Sequence, residues 1–85
     1  MPTITRIGNI AIRVFFDDTK RHKRPHFHAV GPEDNMIVGL PRLDVIEGDL
    51  ALKDRAGVLE WASVNLDRLT ADWNRCNPTL PVRFP

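Results

Sequence analysis

Arg24-Pro25-His26-Phe27-His28-Ala29-Val30 is the stretch on which the reading of this chain turns. Two histidines stand one residue apart directly after a proline, with a phenylalanine between them. A strand alternates its side chains between two faces. An extended Pro25–Val30 therefore sends His26 and His28 to one side, and Phe27 and Ala29 to the other. Proline fits at the first position of such a strand, where its missing N–H costs least. Phe27 then anchors the strand in a core, and the imidazoles occupy the opposite face. Residues two apart on one face lie about 6.5 Å from each other along the strand. That separation suits two imidazoles that share a metal, a phosphate or a proton-transfer task.

Before this stretch runs Lys20-Arg21-His22-Lys23-Arg24, which reads as an exposed basic loop and brings in the third histidine. Asp17-Asp18-Thr19 ends the preceding strand, since aspartate favours turns. That strand, Ile10 to Phe16, has the clearest alternation in the chain. Ile10, Ile12, Val14 and Phe16 fall on one face, and Ala11, Arg13 and Phe15 on the other. Gly8-Asn9 is a turn signal that pairs it with Thr3–Ile7 as a hairpin. After the histidines, Gly31-Pro32 and Glu33-Asp34-Asn35 make a turn into a strand from Met36 to Leu40. Pro41-Arg42 interrupts, and a short extended piece from Leu43 to Ile46 is closed by Glu47-Gly48.

From about Leu50 the period changes. Leu52, Ala56, Leu59, Ala62, Leu66, Leu69 and Trp73 recur at steps of three and four, one face of an amphipathic helix reaching about Cys76. Asp49 is its expected N-cap and Asn77-Pro78 its stop. A break near Val64-Asn65 is conceivable, but the periodicity runs through it and predicts one helix. The proline-rich tail after Asn77 is expected to be extended. Strands first and helix last argue for an α+β fold: an antiparallel sheet of three to four strands packed against one long C-terminal helix.

With 85 residues, one domain spanning 1–85 is expected. An apolar fraction of 42% and the absence of low-complexity tracts fit a folded chain. A net charge of +1 argues neither for nor against nucleic acid, so the local basic run carries more information than the total. The single cysteine, Cys76, excludes an intramolecular disulfide. No apolar run approaches the roughly 18 residues that span a membrane, and the N-terminus lacks signal-peptide character. The expected location is cytoplasmic, and the sequence calls for no cofactor.

Several motifs in order resemble a known family: the opening Met-Pro-Thr-Ile, the strand from Ile10 to Asp18, Pro25-His-Phe-His-Ala29, the later Leu59-Glu-Trp-Ala62, and Leu69 with Trp73. The chain is identified as a member of a family of small bacterial proteins catalogued as a domain of unknown function (number four-one-six-zero). The resemblance runs from Met1 to about Trp73. The chain departs from it at residues 19–24, where its loop is longer and more basic. The family has no established activity. Its members are often encoded beside a second small domain, and such pairs have been suggested to be toxin–antitoxin modules. What the resemblance implies is a small partner protein encoded nearby.

Three functions are weighed on the residues. The first is a partner-binding component of such a two-gene system, with Trp61, at the margin of the helical stripe, as the anchor; the bland alternative makes Trp61 simply core. A homodimer is a related expectation. The second is a metal-independent ribonuclease. It needs a general base, a general acid and a cation for the phosphorane; His26 and His28 suit the first two and Arg13 the third. His22, Lys20, Arg21, Lys23 and Arg24, with Asp18 alongside, would then bind the RNA backbone. The alternative makes the histidines a hydrogen-bonded pair tying the loop to Asp17 or Asp18, and the basic run a solvated turn without interleaved aromatics. The third is a metal site from His26, His28 and either His22 or Asp18, disfavoured by the surrounding cations and the lack of a fourth ligand.

Overall fold

The computed structural model describes residues 3–16, 19–20 and 22–83. Asp17, Asp18 and Arg21 lie outside the described residues, and with them the expected strand end at the aspartate pair. The elements are β1 (Thr3–Ile7), β2 (Ile10–Arg13), β3 (His26–Val30), β4 (Asn35–Gly39), β5 (Val45–Gly48), α1 (Leu52–Val64) and α2 (Leu66–Cys76). The α+β class holds, with five strands and two helices among the described residues in place of the expected three to four strands and one long helix.

The strands form an antiparallel meander in sequence order, β1-β2-β3-β4-β5. Ile7 pairs with Ile10 across the expected hairpin, and Gly8 takes φ +59° in the first turn position. Only glycine adopts that conformation cheaply, and it is the one a type II′ turn requires there. The extra strand arises because Val45–Gly48 pairs with β4 through a register shift at Ile37/Val38, which carries the extended piece through Glu47.

Register places Ile12, Ala29 and Met36 in one cross-strand row, and Phe27 beside Val38 in the next. All five are fully buried and share a core with Val58, Ala62, Leu69, Trp73 and Cys76 from the helices. The alternation of β2 holds as far as Val14. Phe16, expected on the core face, is 57% exposed because the strand ends at Arg13 and the chain turns away.

The helix breaks at Asn65, whose backbone N–H and side-chain Nδ2 both donate to the Trp61 carbonyl, at 3.0 and 2.9 Å. Asparagine competes in this way for a backbone acceptor, which is why it favours helix ends over interiors. The stripe also differs from the expected one. Leu52 is 82% exposed and Ala56 is exposed, while Val58 and Ala62 are the buried pair of α1. Asp49 does not cap α1; Ala51 holds that position, and the Asp49 carboxylate accepts instead from the Leu50 N–H at 2.9 Å. The expected stop at Asn77 holds. Buried Asn77 donates from Nδ2 to the Phe15 carbonyl at 2.9 Å, so the end of α2 is fastened to the chain leaving β2. The tail packs back as well: the Trp73 indole N–H donates to the Leu80 carbonyl at 2.7 Å, and Val82 is buried.

Candidate functional site on the outer sheet face

The sheet face turned away from the helices carries the candidate residues. Cross-strand pairing aligns Arg13 of β2, His28 of β3, Ile37 of β4 and Glu47 of β5 in a single row. His26 lies on the same face two residues earlier, opposite Gly39. Its ring centroid is 5.2 Å from that of His28 and 5.6 Å from that of His22. The three histidines therefore converge, as their sequence spacing suggested.

They differ in access. His26 is 1% exposed, and its ring lies 5.0 Å from Trp73, so it bridges the outer face and the core. Its Nδ1 lies 2.7 Å from the Arg24 carbonyl. A carbonyl only accepts, so Nδ1 carries the hydrogen, and Nε2 bears the lone pair in the neutral ring. His28 is half-buried and meets Phe15 edge-on at 4.7 Å. The His22 side chain is 17% exposed, with Nε2 3.6 Å from the Glu47 carboxylate. Phe15 and His22 thus lie against the β3–β5 half of the outer face, which was expected to stand open. Beside it, between β1 and β3, Arg6, Ala11, Arg13 and Val30 line an open depression.

The expected binding residues scatter. Lys20 and Lys23 are exposed. Arg24 is committed elsewhere: its guanidinium donates to both Asp44 oxygens, at 2.9 and 2.7 Å. This fork passes over Gly39, where an added Cβ would collide with Arg24 Nη2 and come within 2.6 Å of the Asp44 carboxylate. The hydrogen bond from Arg24, more than the nearby charges, holds the Asp44 carboxyl below its usual range. Asp18 and Arg21 are outside the described residues. Trp61 packs against the core from the helix layer and is not brought to the histidines.

The sequence reading missed Glu47, Phe15 and Asp44. The Leu43–Ile46 pattern stops one residue short of Glu47, which the structure places inside β5. Among the described residues, no group of three His, Cys, Asp or Glu side chains is arranged to hold a metal ion. No described helix is long and apolar enough to cross a membrane.

Residues 9–74 match the profile of a domain of unknown function, DUF4160. The chain belongs to this family. The matched span begins at the β1–β2 turn and takes in the whole histidine face and nearly all of α2. No curated protein and no solved structure matches the chain.

Proposed function

We propose that this DUF4160 protein cleaves RNA at its outer sheet face by acid–base chemistry. The observation that carries the reading is the convergence of three histidines, Arg13 and Glu47 on one face, with half-buried His28 paired across the strands to Arg13, which lines an open depression, while His26 is sealed. His28 takes the proton of a ribose 2′-hydroxyl. The 2′-oxygen bonds to the adjacent phosphorus, and the bond to the 5′-oxygen breaks, leaving a 2′,3′-cyclic phosphate. His22, steadied by Glu47, gives its proton to the departing 5′-oxygen. Arg13, across the strand pair from His28, stabilises the charge on the phosphorane. His26 touches no substrate in this scheme; it backs the other two rings.

The test is cleavage of an end-labelled RNA by purified protein in excess EDTA. Wild type is expected to give a cyclic-phosphate end, and His28→Ala to lose at least 100-fold in rate, in line with the usual worth of a general acid or base, while melting as wild type does. Activity that vanishes with EDTA and returns with a divalent ion would replace this reading with the metal one.

A specific observation also supports the partner-binding reading. Val64 is 80% exposed at the end of α1, and partly exposed Trp61 lies one turn before it on the same flank. In that reading the protein is one member of a toxin–antitoxin-like pair, and this flank seats the small protein encoded beside it or a second copy of the chain. Co-purification with that neighbour, lost in Trp61→Ala and kept in His28→Ala, is the expected result.

A further inference from the structure

We infer that Arg6 and Arg13 form a phosphate-binding trough that holds single-stranded RNA one nucleotide away from the histidines, an inference that rests on the cleavage reading above. Three observations carry it. The first is placement. Arg6 pairs with Ala11, and Arg13 lies two residues further along β2 on the same face, so the two arginines are diagonal cross-strand neighbours. Such neighbours stand about 7–8 Å apart, a gap that two guanidinium groups can close around one phosphate or share between two in sequence. Between them the floor is Ala11, buried and too small to fill the space, with Val30 and Pro32 as the far wall.

The second is an unmet hydrogen bond. Arg13 Nε is buried and has no partner among the described residues. A buried N–H without an acceptor costs about 1–3 kcal/mol, so a structure that keeps one is poised to gain an acceptor. The third is charge. Arg24, Arg55 and Arg75 each have an aspartate within 4.0 Å, at Asp44, Asp49 and Asp72. Among the described residues, no acidic residue lines the trough that holds Arg6 and Arg13. A site with two arginines, no carboxylate and an empty hydrogen-bond donor selects an anion whose oxygens lie in more than one direction, which is a phosphate.

Continuity with the histidine row then favours a polymer over a free ion. Arg13 belongs to both sites: it lines the trough and stands directly opposite His28. A strand whose phosphate lies between Arg6 and Arg13 delivers its next phosphate to His28. In-line attack by a 2′-hydroxyl needs a flexible strand, so on the cleavage reading the trough feeds a single strand to the histidines.

The experiment uses the full chain and a fluorescein-labelled eight-nucleotide RNA, 2′-O-methylated throughout so that it binds without being cleaved. Binding is followed by anisotropy at several salt concentrations. Arg6→Gln, at an exposed side chain, is expected to fold normally, to weaken binding 5- to 20-fold and to lower the log–log salt slope by about 0.7, the signature of one lost phosphate contact on a single strand. Arg13→Lys, which keeps the charge and loses the fork, is expected to weaken binding as well. Competition by duplex RNA at equal nucleotide concentration should be weaker. An Arg6→Gln protein with unchanged affinity and slope overturns the inference, as does an absence of binding to wild type at low salt. If binding behaves as expected while the same RNA with free 2′-hydroxyls survives intact, the trough stands and the cleavage reading falls.

Discussion

His26 and Phe27 are neighbours in β3, point to opposite faces and are both sealed from water, but by different means. Phe27 is buried under two helices in an apolar core. His26 is buried against His22, His28 and Trp73, with its Nδ1 hydrogen given to the Arg24 carbonyl. The inner face is held by area removed from water, which is insensitive to small changes of orientation. The outer face is held by directed contacts between polar and aromatic rings. What the difference teaches is that burial on the outer face is directional: the His26 ring is locked by its contacts, while His28, two residues on, stays half-buried.

Substitutions on the two faces should therefore cost very different amounts. The largest effect is expected from Phe27→Ala, which opens a cavity in the core and should destabilise by about 3–5 kcal/mol in chemical denaturation. His26→Ala comes next. It leaves the Arg24 carbonyl short of its donor and a gap beside Trp73, and should cost about 1–3 kcal/mol. If it cost as much as Phe27→Ala, the two faces would form one core and the contrast would be lost.

Smaller still is the Arg24–Asp44 pair, both side chains of which are well over a third exposed. Asp44→Asn should cost no more than about 1 kcal/mol at neutral pH. The folded-state pKa of Asp44 is lowered, so its contribution is present above the unfolded value near 3.8 and is lost as pH falls through the folded one. Wild type and Asp44→Asn should thus differ in stability at pH 7 and converge in stronger acid; a difference that grew on acidification would contradict the assignment. The smallest stability effect is expected from His28→Ala, within about 0.5 kcal/mol, the usual range for a position away from core and caps.

The sheet was legible because alternation is a strong signal where one face is fully apolar. Ile10, Ile12 and Val14 declared β2, and Phe27 with Ala29 declared β3, together with the face that would carry the histidines. The Gly8-Asn9 turn fixed the first register. The helical half was less legible. Leu52 and Ala56 continue the period of Ala62 and Leu69, yet they face solvent, because spacing alone does not say which of two apolar stripes a sheet will cover. Asn65 announced a helix end by residue type, but its hydrogen bonds to the Trp61 carbonyl are a matter of side-chain rotamer. At the site, the meeting of His22, His26 and His28 followed from proximity in the chain. Glu47 did not, since it reaches the row only through the β4–β5 pairing with its register shift at Ile37/Val38; Arg6 arrives through the Gly8-Asn9 hairpin, whose register the turn already set.

The most direct test of the account is the rate at which pure, folded protein cleaves an end-labelled RNA in EDTA, with wild type and His28→Ala compared at equal melting temperature. The account predicts cleavage to a 2′,3′-cyclic phosphate by wild type and a loss of at least 100-fold in His28→Ala. Equal rates in the two proteins, or intact RNA with both, would contradict it and leave the histidine face as an architectural feature of the fold.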